Sequence, residues 1–260
     1  MITRVQNGEA TLHVEVEGPE DGAPLLLSNS LGTTLEMWSP QIAALVQTHR
    51  VARYDTRGHG RSNVPPGEYT MDQLGKDALA IADALGWERF DVCGLSMGGM
   101  TALWLGIHAP ERIRRLVCSS AAPFTGGPHW DSRMQTVREG GMAAVAPMVV
   151  SRWFTPEFAG TSPEAIGDVE RQLTTMPADG YIGCCAALRD MDLRPGLSSI
   201  SARTLLLAGS HDLGPPPAVV HAMAQQIAGS RVVELNGAHL CNIEDPLLFT
   251  NTVSAFLSTS

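Results

Sequence analysis

Short apolar runs alternate with longer stretches of helical spacing along most of the chain, and this alternation constrains the fold more than any other feature. Most of the runs are continuously apolar, which is typical of strands buried on both faces of a parallel sheet. Helical candidates lie between them, at residues 71–85, 97–108 and about 246–257. This order predicts an α/β fold with a mainly parallel, doubly wound sheet.

Polar residues follow most of the apolar runs, at the point where each predicted strand ends. These residues are Asn29, Ser30, Asp55, Ser96, Ser119, Ser120, Asp212 and His239. The carboxyl ends of parallel strands meet at one edge of a sheet, and ligands bind at that edge. We therefore expect these side chains to lie close together and to include the functional ones.

Residues 122–190 break the alternation, because they contain no clear strand. Their pattern indicates several short helices separated by turns, with two tryptophans and several arginines among them. We interpret this stretch as a helical cap insertion, a lid over one edge of the sheet. Residues 1–121 and 191–260 then form a single core domain, which is large enough to bury a sizeable apolar interior.

The charge balance excludes some classes of partner. The 260 residues carry a formal net charge of −9, with 44% hydrophobic and 17% charged residues. An acidic chain repels nucleic acid and anionic membranes, so we expect neither as a partner. No stretch approaches the roughly 18 uninterrupted apolar residues of a membrane span. No feature indicates an oligomeric state, and an anionic substrate would need a local cation in its pocket.

The cysteines indicate a reducing compartment. Their odd number, five, and their spacing fit neither a disulfide framework nor a zinc site. Cys184 and Cys185 are adjacent, unlike a C-x-x-C redox pair, and we expect them to face a pocket or to pack under the cap. The first residues lack the apolar core of a signal peptide, so we expect a cytoplasmic protein. No motif for a metal or an organic cofactor is present, and we expect none.

The stretch Gly-Leu-Ser-Met-Gly at residues 94–98 follows an apolar run and opens a helical pattern. This G-x-S-x-G spacing is typical of a serine held on a sharp strand-to-helix turn, where flanking side chains would clash. The helix N-terminus adds partial positive charge and free N–H groups beneath Ser96. A serine that only caps the helix would give the same letters. The strand before it and the helix after it favour a nucleophile.

A serine hydroxyl is a weak nucleophile and needs a general base. Of the eight histidines, His239 has the best setting, because its loop between the last predicted strand and the last predicted helix can reach over Ser96. The base in turn needs an acid that orients it. Asp212 ends the preceding strand and is the acid we expect. The competing carboxylates are Asp190, Asp192 and Glu244.

Hydrolysis at a carbonyl also needs fixed donors for the negative charge that develops on oxygen. One candidate is the backbone N–H of Met97, directly after the serine. The other is the N–H of Leu31, in the loop that follows an early apolar run, where Gly32 permits a close turn. We predict that these two amides form an oxyanion hole.

The chain resembles the α/β-hydrolase superfamily. Its Ser96, Asp212 and His239 occur in the order expected there, and the run YDTRGHGRS at residues 54–62 is similar to the superfamily's D-x-R-G-x-G-x-S segment. The resemblance implies an α/β-hydrolase fold in which this segment shapes a loop and His59 has no catalytic role. The residues implied to shape that loop are Asp55, Arg57, Gly58 and Gly60.

Two further stretches narrow the resemblance. The pattern S-N-S-L-G-T-x-x-x-M-W at residues 28–38 is similar to 3-oxoadipate enol-lactonases, where many α/β-hydrolases have His-Gly instead. GYIGCCAALRDMDLR at residues 180–194 resembles the same family. This resemblance implies a carboxylic-ester hydrolase of the β-ketoadipate pathway for aromatic compounds. It would open a small anionic enol-lactone through a Ser-His-Asp triad and an acyl-enzyme.

The substrate implied by this resemblance carries an acetate arm, which needs a cation. The predicted cap supplies Arg133, Arg138, Arg152, Arg171 and Arg189. We expect Arg133 to anchor the carboxylate and Trp130 to form a pocket wall, although an arginine on a helix is often only a solvated surface residue. Asn29 and Ser30 are candidates for substrate binding or for stabilising the turn.

Two other hypotheses about the function remain open from the sequence. A carboxylesterase, or a hydrolase of carbon–carbon bonds in ring-cleavage products, would use the same three residues. A non-catalytic receptor on a hydrolase fold belongs to a different class, and fold alone does not exclude it. Such receptors often lack one member of the triad, whereas all three positions are filled here.

Overall fold

A computed structural model describes residues 1–258 of the chain. Eight strands within this range form one sheet: β1 (Ile2–Asn7), β2 (Ala10–Glu17), β3 (Ala23–Ser28), β4 (His49–Tyr54), β5 (Phe90–Leu95), β6 (Ile113–Ser119), β7 (Arg203–Gly209) and β8 (Arg231–Leu235). Their order across the sheet is β1-β2-β4-β3-β5-β6-β7-β8. The pairs β1–β2 and β2–β4 are antiparallel, and all other neighbours are parallel. The predicted α/β fold with a mainly parallel sheet is confirmed.

Ten α-helices accompany the strands in the described range. They are α1 (Ser39–Leu45), α2 (Met71–Ala84), α3 (Met97–His108), α4 (His129–Trp153), α5 (Pro156–Thr161), α6 (Pro163–Thr174), α7 (Ala178–Asp190), α8 (Pro217–Ala224), α9 (Cys241–Glu244) and α10 (Pro246–Leu257). Short 3₁₀ helices lie at Leu35–Trp38, Pro110–Arg112 and Arg194–Ser199. The predicted helices at residues 71–85, 97–108 and 246–257 correspond to α2, α3 and α10.

Local chemistry explains why these elements begin where they do. A capping box starts α2: the Thr70 side chain accepts from the Gln73 N–H, and the Gln73 side chain accepts from the Thr70 N–H. Every residue of β5 is buried, including its one charged residue, Asp91, as expected for a central strand covered on both faces. Because the central strands are parallel, β3, β5, β7 and β8 all end at the same edge of the sheet. That edge carries the candidate site.

Helices α4–α7 lie between β6 and β7 in the chain, within the stretch interpreted above as the cap, and we keep that name for them. The long helix α4 consists of two helical segments that meet at Gly141, where φ is 68°. Its buried side chains are Trp130, Met134, Val137, Met142, Val145, Ala146, Val149, Val150 and Trp153. The two ends of the cap segment meet in an isolated antiparallel bridge between Phe124 and Asp192. This bridge closes the base of the cap against the core.

The cysteines and the helices bear on the expectations about location. All five cysteines lie within the described residues, and they are buried and free. Cys184 and Cys185 are fully enclosed in α7, where burial raises the pKa of the Cys185 thiol to about 12. No helix of residues 1–258 combines the length and the apolar character that crossing a membrane would require.

Candidate active site

Ser96 occupies a strained turn between β5 and α3. Its φ of 56° and ψ of −118° lie outside the regions that non-glycine residues normally adopt. The Ser96 N–H donates to the Ser119 carbonyl over 2.8 Å, and the Ser96 carbonyl accepts from the Met100 N–H over 2.9 Å. Backbone bonds to a neighbouring strand and to α3 thus hold the serine in this conformation.

The two flanking glycines are required by close backbone contacts. A Cβ atom on Gly94 would lie 2.0 Å from the Gly98 carbonyl oxygen. A Cβ atom on Gly98 would lie 2.0 Å from the carbonyl oxygen of Ser28, at the end of β3. Both approaches are far inside van der Waals contact. The G-x-S-x-G spacing therefore reflects a turn pressed against β3, the strand that leads into the Leu31 loop.

His239 and Asp212 form a buried pair at the ends of β8 and β7. The distance between His239 Nδ1 and Asp212 Oδ2 is 2.8 Å, and both residues are buried. The other carboxylate oxygen, Oδ1, accepts from the Gly214 N–H over 2.9 Å. A carboxylate held in this way keeps the proton on Nδ1 and leaves Nε2 able to accept one. The pair therefore has the arrangement of a general base and its orienting acid.

The histidine loop is fixed by a second carboxylate, Glu244. Its Oε2 accepts from the Ala238 N–H over 2.8 Å, and its Oε1 accepts from both the N–H and the hydroxyl of Thr155. The Leu240 N–H donates to the Trp153 carbonyl over 3.0 Å. These bonds connect the residues on either side of His239 to the end of cap helix α4. The role of Glu244 differs from that of a competing acid, because it binds backbone and Thr155 rather than the imidazole.

The loop after β3 leaves the Leu31 amide unused by the rest of the protein. The Ser30 N–H donates to Met37 Sδ, the Gly32 N–H to His59 Nε2, and the Thr33 N–H to the Ser30 carbonyl. Among the residues that the structure describes, no group accepts from the Leu31 N–H, and Leu31 lines the cavity beside Ser96. The Met97 amide begins α3 and belongs to the first turn, whose N–H groups have no acceptor within the helix.

A cavity of about 340 Å³ lies between the sheet edge and the cap. Most of the predicted site residues line it, namely Ser30, Leu31, Ser96, Trp130, Arg133, Asp212 and His239. Tyr181, Arg152 and His129 also line it. Burial and the nearby arginines lower the pKa of His129, so the permanent positive charges of the cavity are those of Arg133 and Arg152.

Trp130 and Arg133 form the cap wall of the cavity. The Arg133 guanidinium carbon lies 4.9 Å from the centroid of the Trp130 ring, in a cation–π contact. The Trp130 Nε1–H donates to the Thr125 carbonyl over 2.8 Å, which fixes the ring. Within residues 1–258 the buried Arg133 Nε has no hydrogen-bond partner, and the buried Tyr181 hydroxyl has none apart from the nearby Arg133 guanidinium. The wall thus offers unused donors to a bound molecule.

Asn29 was a candidate for substrate binding, but the structure does not bring it into the cavity. The residue is completely buried, and its side-chain amide donates to the Tyr54 carbonyl over 2.6 Å. Its Oδ1 accepts from the Trp38 Nε1–H over 2.9 Å. Both ends of the amide are therefore used within the protein. Of the two roles considered for Asn29, stabilising the turn is the one that its contacts support.

Three of the five cap arginines, Arg138, Arg171 and Arg189, lie away from the cavity. Arg171 pairs with Asp168, and Arg189 bonds Glu68, Asp131 and Asp190 at the surface. Arg138 is exposed on α4. Tyr181 was not among the residues predicted from the sequence, although it belongs to the GYIGCC run that carried the resemblance. Its hydroxyl is polar and buried, but only the packing of α7 shows which way the ring lies.

Known proteins share both the sequence and the fold. A family model for the alpha/beta hydrolase fold matches residues 23–246. Two proteins of Acinetobacter baylyi, 3-oxoadipate enol-lactonases 2 and 1, are each 40% identical, covering 96% and 100% of this chain and 94% and 97% of their own lengths. The crystal structure of an enol-lactonase from Burkholderia xenovorans LB400 is 41% identical, with a TM-score of 0.96 over 99% of this chain and 100% of that one. The chain therefore belongs to the alpha/beta hydrolase family and, within it, to the family of the 3-oxoadipate enol-lactonases.

Proposed function

We propose that the protein opens 3-oxoadipate enol-lactone to 3-oxoadipate in the catabolism of aromatic compounds. The observation that carries this proposal is one cavity, lined by Ser96, Asp212 and His239 on the core side and by Trp130 and Arg133 on the cap side. Such a cavity joins a hydrolytic apparatus to a cation. The 40% identity to two enol-lactonases supports the same substrate.

In the first half of the reaction, Ser96 Oγ attacks the lactone carbonyl carbon while His239 Nε2 takes the hydroxyl proton. The Leu31 and Met97 amides donate to the carbonyl oxygen as it becomes negative. The ring C–O bond then breaks, and the leaving enol oxygen takes the proton from the imidazolium. An enol leaves more easily than an alkoxide and afterwards tautomerises to a ketone. The product of this half-reaction is an acyl-enzyme on Ser96.

In the second half, water attacks the acyl carbon and gives its proton to His239 Nε2. The same two amides hold the second tetrahedral intermediate. Collapse breaks the bond to Ser96 Oγ, which recovers its proton from the imidazolium, and 3-oxoadipate is released. Asp212 keeps its charge throughout and stabilises the imidazolium in both halves. Only protein groups and water take part in this chemistry.

In this proposal the acetate arm of the lactone lies on the cap side of the cavity. A carboxylate there would accept from the Arg133 guanidinium, whose Nε is buried without a partner, while Trp130 covers the apolar ring. The Ser30 and Tyr181 hydroxyls, which also border the cavity, are further contacts for the substrate. An anion-binding wall inside a chain of net charge −9 favours an anionic lactone over a neutral ester.

The proposal is tested by comparing the anionic enol-lactone with a neutral aryl ester on the purified protein. We expect the lactone to have the higher kcat/KM, and Ser96→Ala to lower kcat for both substrates by about 10⁴-fold or more. A protein that prefers the neutral ester would be a carboxylesterase. Full turnover by Ser96→Ala would contradict the serine mechanism, and hydrolysis of neither ester would favour a non-catalytic receptor.

Arg133 provides the sharper test of substrate class. Replacing it with leucine should lower kcat/KM for the lactone by about 10–100-fold, the equivalent of the roughly 1.5–3 kcal/mol of a hydrogen bond to a charged group. The rate with the neutral ester should change little. Arg138→Leu is the matched control, because Arg138 lies exposed on the same helix away from the cavity. Equal losses in the two variants would show that Arg133 does not bind the carboxylate.

A further inference from the structure

A buried imidazole, His59, lies behind the loop that presents the Leu31 N–H. The side chain is completely enclosed, and its Nε2 lies 3.0 Å from the Gly32 backbone nitrogen, whose N–H donates to it. Its Nδ1 lies 3.2 Å from the Arg57 carbonyl oxygen. Gly32 is the residue directly after Leu31. The imidazole therefore holds the amide next to the one that the cavity uses.

These two contacts assign a single protonation state to His59. An N–H donor at Gly32 requires a lone pair on Nε2, so the only proton of the ring is on Nδ1, which donates to the Arg57 carbonyl. A protonated ring could not accept from Gly32. Complete burial disfavours the charged form and lowers the pKa of His59 to about 4. The imidazole is therefore a neutral, oriented bridge from the Arg57 carbonyl to the Gly32 amide.

The bridge is clamped between the core and the cap. Gly32 has a φ of 78°, and a Cβ atom there would lie 2.6 Å from Leu173 in α6 and 3.1 Å from the Tyr181 ring in α7. Cys184 Sγ, also in α7, is 4.0 Å from His59 Nδ1. The loop is thus pressed from one side by the cap and held from the other by His59. The Leu31 N–H shares a peptide unit with the Ser30 carbonyl, which accepts from the Thr33 N–H and hydroxyl. Holding the next peptide unit, through the Gly32 N–H, restricts the backbone rotation of Leu31 from the other side.

We propose that His59 is a positioning residue, whose bond to the Gly32 N–H holds the Leu31 amide toward the oxyanion of the reaction at Ser96. It does not touch the substrate and transfers no proton. The inference rests on the proposed function only in that Ser96 hydrolyses an ester. Because the oxyanion hole serves every ester, the effect is the same for a lactone and for an aryl ester.

Two amide replacements separate the two bonds of the ring. In His59→Gln the side-chain oxygen reaches the position of Nε2 and can accept from the Gly32 N–H. In His59→Asn the side chain ends near the position of Nδ1, so it can keep the bond to the Arg57 carbonyl but cannot reach Gly32. Both variants are polar and similar in size. A merely structural role of His59 would therefore affect the two alike.

We expect His59→Asn to lower kcat by about 10–100-fold on both the enol-lactone and p-nitrophenyl acetate, since a displaced oxyanion donor costs up to about 10³-fold. KM should change by less than about 3-fold, because the bond acts in the transition state. His59→Gln should stay within about 3-fold of the wild type in kcat. His49→Asn is the control, because His49 is another buried imidazole, at the opposite end of β4 from this loop.

The outcomes separate the inference from the proposed substrate. Loss of kcat in the asparagine variant with rescue by glutamine supports the inference, even if the wild type hydrolyses only the aryl ester. Equal activity of all three proteins would overturn it, as would equal losses in both His59 variants. A loss of kcat in His49→Asn of the same size would also overturn it, because the effect would then follow from any buried histidine.

Discussion

At the scale of the residue, backbone contacts explain the site better than the side chains do. Ser96 is held at φ 56°, and the glycines beside it are needed because neighbouring carbonyl oxygens lie 2.0 Å from where a Cβ atom would be. The unused Leu31 amide is defined in the same way, because its neighbours in the loop already donate to other groups. Main-chain contacts therefore fix the conformation of Ser96 and leave the Leu31 amide free to donate.

The neutral state of His59 predicts how stability depends on pH. Its pKa is about 4 in the folded protein and that of an ordinary histidine, about 6.5, in the unfolded chain. Between these values the unfolded state binds more protons, so the contribution of His59 to stability is complete above pH 6.5 and is lost as the pH falls toward 4. Glutamine does not titrate in this range.

We therefore expect the difference in Tm between the wild type and His59→Gln to shift against the wild type between about pH 7.5 and about pH 5. The other groups that face His59 contribute equally to both proteins. They are the Cys184 thiol, whose pKa burial raises well above its usual value, and, acting on that thiol, the Arg57–Asp77 ion pair. Thermal denaturation of both proteins at the two pH values measures the shift. A constant difference would mean that His59 is not buried in its neutral form.

At the scale of the element, the histidine loop and the cap form one hydrogen-bonded unit. Glu244 at the end of α9 binds the Ala238 amide and Thr155, and the Leu240 amide binds the last residue of α4. The loop that carries His239 is thus tied to the same helix that carries Trp130 and Arg133. Packing of the cap and orientation of His239, the proposed base, are therefore not independent.

This connection predicts the effect of Glu244→Ala. The change leaves the partly buried Ala238 and Thr155 amides without a protein acceptor, at a cost of up to about 1–3 kcal/mol for each. We expect a lower Tm and a loss in kcat of about 10-fold, because a small displacement of His239 impairs proton transfer. Steady-state kinetics and thermal denaturation measure the two effects.

Asp245→Ala is the control for this prediction. Asp245 follows Glu244 directly and caps α10 by accepting from the Leu248 N–H over 3.0 Å. Losing that cap costs about 1 kcal/mol, but it does not involve the His239 loop. The control should therefore lose stability without losing kcat. If kcat falls equally in both variants, general destabilisation explains the loss, and the connection through Glu244 does not orient His239.

At the scale of the whole molecule, the net charge and the cavity charge oppose each other. The chain carries −9 overall, yet the cavity is lined by Arg133 and Arg152. The long-range field repels an anionic substrate, and salt screens it, because the Debye length falls from about 30 Å at 0.01 M to about 8 Å at 0.15 M. A contact inside the cavity is screened much less.

We therefore expect kcat/KM for the anionic lactone to rise as salt is added over this range, by about 2-fold or more, with little change for a neutral aryl ester. Initial rates at low substrate concentration measure both. A fall in kcat/KM for the lactone would show that the two arginines determine the field that the substrate meets on approach. The neutral ester controls for effects of salt on the enzyme itself.

Much of the architecture could be predicted from local patterns. The runs that became β5 and β7, the helices α2, α3 and α10, and the order of Ser96, Asp212 and His239 all follow from periodicity and from short spacings. These signals are local, because burial and helix capping involve residues close together in the chain. The α/β-hydrolase fold and family, also predicted from short motifs, were confirmed by the family model and by the enol-lactonase structure.

The amino-acid sequence by itself determined the class of fold, the turn around Ser96 and the three candidate catalytic residues at strand ends. Only the tertiary structure decided that Arg133 rather than Arg138 lines the cavity and that Asn29 is used within the core. It also decided that His59 holds the Gly32 amide, 27 residues away. Such contacts depend on how distant elements pack, and no local period in the sequence records which side chains that packing brings together.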